Sequence, residues 1–202
     1  MMKMKRALIS VYDKTGINSF ASELAKLGFE IISTGGTFET LKEGGVNSVK
    51  IVSDVTGFPE ILDGRVKTEH PKVVGAILAL RDKKEHMQEL ATFGIEPIDL
   101  VVCNLYPFEV STTKGIKLDT VLEKIDIGGP NMIRAAAKNL GNVTIIINPS
   151  RYDQVLREYK ENGKVSAETR KKLAAEAFKE TARYDSMIYR FLKEIMFKSN
   201  LF

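Results

Sequence analysis

An acid followed by two glycines and a proline opens the run 125–139, which continues into the helix formers Met132-Ile133-Arg134-Ala135-Ala136-Ala137-Lys138. Proline suits a first helical turn because its missing N–H would go unpaired there. Gly128 and Gly129 leave the backbone N–H groups around Ile127 uncovered. A helix start of this kind offers partial positive charge and free donors to an anion. Asp126, at its mouth, reads either as a cap or as a group that handles a proton. Two further segments, 10–16 (Ser10-Val11-Tyr12-Asp13-Lys14-Thr15-Gly16) and 33–37 (Ser33-Thr34-Gly35-Gly36-Thr37), place hydroxyls, glycines and the Lys14 ammonium where apolar runs give way to helical ones. Either alone is an ordinary turn; two on adjacent strand ends read as a phosphate site. Neither has the Gly-x4-Gly-Lys spacing of a Walker loop.

The loop 64–71 concentrates Arg65 and Lys67 beside Thr68, Glu69 and His70 between turn formers. It reads as a solvated basic loop or as a device in which Lys67 steadies a carbonyl oxygen that becomes an oxyanion. His70 reads as a residue that holds the loop by a hydrogen bond. In 103–107, Asn104 has the donor–acceptor pair to read a carboxamide or purine edge. Tyr106 can donate to an oxyanion or pack as a strand-end aromatic. Cys103 has no base near it in sequence and reads as a small buried hydrophobe.

These residues need a scaffold that brings loop ends together. Short apolar runs at 7–11, 29–32, 49–52, 100–105 and 143–147 read as buried parallel strands. Ile17, Phe20, Leu24 and Leu27 recur at helical spacing up to Gly28, and a second helix ends at Gly44-Gly45. The alternation implies an α/β fold with a parallel sheet, ligands collecting beyond the carboxyl ends of its strands. Residues 53–71 read as a long functional or flexible connection. The stretch 73–80 is ambiguous between strand and buried helix, 82–93 is helical, and a short helix starts at Leu118. From about Ser150 the chain is charged and helical, with Leu173, Phe178, Ala182, Ile188, Leu192 and Ile195 assigned to one apolar face. The economical organisation is a single domain over 1–202, with 150–202 as its helical extension.

A net charge of +4 and a pI near 9.0 suit a small phosphorylated ligand, and the spread of charge argues against nucleic acid. A single Cys excludes an intramolecular disulfide framework, and one Cys with two His, well separated, argues against a Cys/His metal site. No run reaches membrane-spanning length and the start lacks a secretory signal, so a cytoplasmic protein without membrane contact is expected.

Taken together, 10–16, 33–37, 56–60 (Thr-Gly-Phe-Pro-Glu), 64–71, 103–108 and 125–139, in this order and spacing, resemble the inosine monophosphate (IMP) cyclohydrolase domain. That domain is usually the N-terminal half of a bifunctional purine-synthesis enzyme. The resemblance extends to Ala177-Phe178 and Thr181-Ala182-x-Tyr184-Asp185. It implies a methylglyoxal-synthase-like three-layer fold and closure of 5-formamidoimidazole-4-carboxamide ribonucleotide to IMP with loss of water, without cofactor or metal. It implies catalytic roles for Lys67, Tyr106, Asp126 and Lys138, and substrate binding by Ser10, Tyr12, Asp13, Lys14, Thr15, Ser33, Thr34, Gly35, Gly36, Thr37, Arg65, Thr68, Cys103, Asn104, Ile127, Gly128 and Gly129. Lys138 lies eight residues past Pro130, about 12 Å along an unbroken helix, so one helix does not readily bring it and Asp126 to one atom.

Departures from the family pattern fall at Glu69 (commonly Leu), Val74 (His), Leu80 (Arg), Asn131 (Thr) and Leu140 (His). The 202 residues hold no folate-dependent formyl-transfer half, so a separate enzyme is expected to supply the formylated substrate. A homodimer is one arrangement the amphipathic tail would permit. Methylglyoxal synthase and a nucleotide-sensing regulatory module share the fold and are the competing readings.

Overall fold

Ala7, Leu8 and Ile9 are fully buried because β1 (Lys5–Val11) is the middle strand of a five-stranded sheet with neighbours on both sides. This computed structural model describes residues 4–108 and 118–199, with side chains as far as Ile195. The sheet runs in the order β3-β2-β1-β4-β5, all pairs parallel, with β2 at Phe29–Ser33, β3 at Val49–Ile51, β4 at Leu100–Asn104 and β5 at Thr144–Ile146. From β1 the chain builds outward through β2 to β3, then crosses back to lay β4 on the other side. The carboxyl ends of β1 and β4 are therefore where connections diverge and leave a crevice. The register pairs Ser10 with Cys103 and Val11 with Asn104, which sets the first turn beside the end of β4.

Helix α1 (Ile17–Lys26) buries Ile17, Phe20, Ala21 and Leu24, the stripe its spacing predicts. Helix α2 (Gly35–Glu43) follows β2, and α3 (Val52–Thr56) follows β3 directly. The expected long connection is thus shorter than its sequence suggests, because Val52 opens a helical turn instead of ending a strand. The ambiguous stretch is α4 (Pro71–Leu78), fixed as a helix by Pro71 in its first turn and by His70, whose Nδ1 accepts from the Lys72 amide at 3.1 Å. Helix α5 (Lys84–Thr92) precedes β4, while α6 (Leu118–Leu122) and α7 (Gly128–Lys138) lead to β5.

A 3-10 turn at Pro149–Arg151, α8 (Tyr152–Asn162) and α9 (Ala167–Ser199) complete the described chain. Helices α1, α2 and α8 pack together; α4, α7 and α9 form a second group, giving a three-layer α/β architecture. Tyr152, Val155, Tyr159, Val165, Leu173, Ala174 and Ala177 belong to the same apolar cluster as the sheet. The face assigned to α9 needs correction. Its buried seam is Leu173, Ala174, Ala177, Thr181 and Tyr184, whereas Phe178, Ala182 and Leu192 are exposed. Among the described residues no helix is long and apolar enough to cross a membrane.

Candidate active site

Loops from β1, β2 and β4, the segment 62–69 and the start of α7 enclose one cavity of about 1200 Å³ at the carboxyl end of the sheet. Ser10, Tyr12, Lys14, Thr34, Gly35, Gly36, Thr37, Arg65, Lys67, Thr68, Cys103, Asn104, Tyr106, Asp126, Ile127, Gly128 and Gly129 all line it. Asp13, Thr15, Ser33 and Lys138 do not, and each is held elsewhere for a physical reason. Asp13 accepts from the Thr15 amide at 2.9 Å and shapes the turn; the Thr15 contacts hold its carboxyl below the usual range. Ser33 is fully buried and donates to the Ile9 carbonyl at 2.7 Å, tying β2 to β1. Lys138 is exposed at the last turn of α7, while the cavity meets its first. Ten residues at 1.5 Å each separate Gly128 from Lys138, about 15 Å.

At one end of the cavity the turns after β1 and β2 interlock. Ser10 Oγ and Thr34 Oγ1 share a hydrogen bond of 2.8 Å. Thr37 Oγ1 accepts from the Val11 amide at 3.1 Å and donates to the Val11 carbonyl at 3.0 Å. The Lys14 ammonium donates to the same hydroxyl at 2.8 Å and to the Val11 carbonyl. Its burial there lowers its pKa, so it stands as a half-desolvated cation beside the start of α2. Gly35 takes φ of +40° as the first residue of that helix, and a Cβ on it would stand 3.8 Å from Lys67 Nζ. The start of α2, the hydroxyls of Ser10, Thr34 and Thr37 and the Lys14 ammonium thus lie together at this end, with Lys67 Nζ near Gly35, a combination suited to an anion.

Asn104 is committed to this end. Its Oδ1 accepts from the Tyr12 and Asp13 amides at 2.7 and 2.8 Å, and its Nδ2 donates to the Asp13 carbonyl at 3.2 Å. It holds the turn and keeps little capacity to read a base edge. Tyr106 meets Tyr12 edge-on, ring centroids 4.6 Å apart, and its phenol oxygen accepts from Lys124 Nζ at 3.2 Å. An ammonium has only donors, so the phenol O–H is left to donate into the cavity.

The opposite end is built on Asp126. Its Oδ1 accepts from the Gly129 amide at 2.8 Å, so the carboxylate caps α7, while its own amide donates to the Tyr184 hydroxyl at 2.8 Å. Burial pushes the Asp126 carboxyl above its usual value; the Gly129 N–H opposes that, Glu69 adds to it and Lys67 opposes it. Of the two readings of this residue, the hydrogen bond from Gly129 is the cap. Gly128 and Gly129 lie inside the helix rather than before it, and Pro130 is its third residue. Among the described residues the Ile127 and Gly128 amides have no protein acceptor and are free to meet a ligand.

Neither glycine has room for a side chain. A Cβ at Gly128 would fall 2.6 Å from Glu69 Oε1 and from Thr68 Oγ1; one at Gly129 would fall 2.5 Å from Asp126 Oδ2 and 2.6 Å from Leu105 Cδ2. Gly129→Ala is therefore expected to displace Asp126 and to cost about 1–3 kcal/mol of overpacking. Calorimetry should read this as a fall in Tm of about 2–4 °C per kcal/mol.

Lys67 and Arg65 reach the cavity on a loop closed by the antiparallel bridge between Ile61 and Val66. Leu62, Asp63 and Gly64 take φ of 54°, 53° and 82° within it, two of them non-glycine residues in the left-handed region. Lys67 Nζ pairs with Glu60 Oε2 at 3.3 Å, and Arg65 makes a two-point pair with Glu123, just past α6; Arg65 and Glu123 both line the cavity. Cys103 is buried in the floor, its thiol pushed far up by burial, with Sγ 3.9 Å from the Gly129 carbonyl. Sequence reading did not assign Glu69, Lys124 or Glu123 to the site. Their only local signal is charge; what places them is contact between the 61–69 loop, α6 and α7.

Known proteins resemble the chain over most of its length. The MGS-like domain family matches residues 16–131, and the AICARFT/IMPCHase bienzyme family matches residues 136–201. The bifunctional purine biosynthesis protein PurH of Persephonella marina is 58% identical over 190 residues, which are 94% of this chain and 37% of that protein. PurH of a Thermoanaerobacter species is 59% identical over 189 residues, 93% of this chain and 37% of that protein. The chain thus spans well under half the length of these curated relatives. The crystal structure of ForH superposes with a TM-score of 0.83 at 35% identity, covering 94% of this chain and 100% of that one. The chain belongs to the MGS-like domain family, and its nearer likeness is to the N-terminal, IMP cyclohydrolase-containing part of PurH.

Proposed function

We propose that the chain is an IMP cyclohydrolase, closing 5-formamidoimidazole-4-carboxamide ribonucleotide to inosine monophosphate with release of water. The observation that carries this reading is a single cavity with interlocked anion loops at one end and, at the other, a desolvated carboxyl on a helix start beside Lys67. A ribotide gripped by its phosphate presents its heterocycle to that second end. Orientation then brings the carboxamide nitrogen onto the formyl carbon, worth several kcal/mol, about 7–11 in favourable cases.

In the proposed sequence the new C–N bond forms as the formyl oxygen gains negative charge. Lys67, the Tyr106 hydroxyl and the Ile127 and Gly128 amides stabilise that oxygen, each donor contributing roughly 3 kcal/mol when well aimed. Asp126 takes the proton leaving the amide nitrogen and returns it to the oxygen. The oxygen departs as water after gaining a second proton, the one lost by the formamide nitrogen as the ring double bond forms. A carboxyl of raised proton affinity suits such a two-way transfer. Lys138 does not line this cavity, and the sequence is written without it.

Purified protein mixed with the formylated ribonucleotide should develop the ultraviolet absorbance of hypoxanthine, and triose phosphate should yield no methylglyoxal. Absence of the chromophore, or production of methylglyoxal, overturns the reading. The same reading places the protein in the cytosol, and a homodimer would appear as a doubled mass in light scattering.

A further inference from the structure

We propose that Glu69 is a positioning residue for the proton chemistry of this cavity: its carboxylate, tied to the Lys67 amide and seated against Gly128, faces the same helix start that Asp126 caps and tunes Asp126 as the proton acceptor. The catalytic consequence rests on the cyclohydrolase reading; the electrostatic claim does not.

Glu69 Oε2 accepts from the Lys67 amide at 2.9 Å, and Oε1 lies 3.4 Å from the Thr68 hydroxyl. The same Oε1 occupies the space a Cβ on Gly128 would need. The glycine at the head of α7 is thus the condition for bringing a second carboxylate to the helix start that Asp126 caps. Two carboxylates over one helix start repel, and the cost falls on the one whose ionisation is already opposed by burial. That one is Asp126, whose proton affinity Glu69 raises.

The other groups facing Asp126 do not substitute for Glu69. Lys67, from the same loop, acts in the opposite sense. Cys103 of β4 has its thiol raised by burial and by Asp126 itself. Tyr184 of α9, its phenol raised by burial and bordered by Asp185, accepts the Asp126 amide. The Gly129 amide of α7 favours the ionised form. Glu69 is the negative side chain in this set that reaches over from another element, so removing its charge while keeping its shape isolates its effect.

The experiment uses the full chain with 13C-labelled aspartate, the Asp126 carboxyl resonance being assigned by its loss in Asp126→Asn. In Glu69→Gln, which keeps an acceptor for the Lys67 amide, Asp126 should titrate at lower pH than in the wild type. In Glu69→Asp, which keeps the charge, it should stay closer to the wild-type position. The acidic limb of kcat/KM for the formylated ribonucleotide should move down in pH with Glu69→Gln, with KM little changed. Should Glu69→Gln fail to fold, Glu69→Leu is the second neutral variant, with the same expected direction. An Asp126 titration that does not move in a folded neutral variant overturns the proposal. Wild-type protein that turns over no ribonucleotide overturns the cyclohydrolase reading instead, and the titration still decides the role of Glu69.

Discussion

Asp126→Asn is expected to lower turnover of the formylated ribonucleotide by about 10²–10⁴-fold, the contribution of a positioned general acid–base, while raising thermal stability at neutral pH. The first effect follows from chemistry. An amide oxygen can still cap the Gly129 N–H as Oδ1 does now at 2.8 Å, but it cannot take a proton from the attacking nitrogen. The second follows from linkage. The folded Asp126 binds its proton more tightly than an ordinary carboxyl with a value of 3.8, because burial and Glu69 oppose its charge. Raising the pH through the folded value therefore withdraws stability, and the wild type carries that loss at neutral pH whereas the Asn variant does not. The gain in Tm should shrink as pH falls through the folded value and vanish below about 3.8, where both states of the wild type are protonated. Calorimetry from acid to neutral pH with absorbance kinetics checks both halves. Wild-type kcat, or a variant less stable than wild type at neutral pH, rejects the assignment.

Local sequence carried the parts of this site that depend on one segment and missed those that depend on two. The apolar runs of β1, β2 and β4 announce buried parallel strands, and the hydroxyl- and glycine-bearing segments after β1 and β2 announce the turns that line the cavity, because each needs only its own residues. The role of Gly128 is different. The sequence offers it as an uncovered backbone, while the structure shows a close approach to Thr68 and Glu69 that no single segment encodes. Glu69 stood out in the sequence only as an odd residue in a familiar motif. Asn104 has the right side chain for reading a base, but its oxygen and one of its two amide hydrogens are committed to the Tyr12–Asp13 turn that strand register places beside it.

The tail helix failed on periodicity. Leu173 and Phe178 are five residues apart, about 140° around a helix, whereas Ala177 and Thr181 follow at steps of four, about 40° each. The true seam uses small and hydroxyl residues, so the most apolar letters in the segment lie beside it. The rise of a helix sets Lys138 about 15 Å from Gly128, and Lys138 does not line the cavity.

Lys67→Ala is expected to lower kcat by about 10²–10³-fold, the scale of losing one well-aimed donor to a developing oxyanion, with a smaller change in KM. The split matters because Lys67 Nζ lies near both candidate tasks. It would be 3.8 Å from a Cβ on Gly35, at the anion loop, and its charge reaches Asp126. A lysine that only held phosphate would bind substrate and transition state alike, and its loss would raise KM with kcat nearly unchanged. The fold should survive, since the pair it makes with Glu60 at 3.3 Å is partly exposed on both sides and contributes at most about 1 kcal/mol. A second signature has a fixed sign. Lys67 favours the ionised form of Asp126, so removing it raises the proton affinity of that carboxyl and moves the acidic limb of kcat/KM to higher pH. Glu69→Gln moves the same limb the other way. Opposite displacements from two residues two positions apart cannot come from general loosening of the loop, which would move both in one direction. Limbs that shift together, or a KM effect without a kcat effect, would remove Lys67 from the reacting end of the cavity.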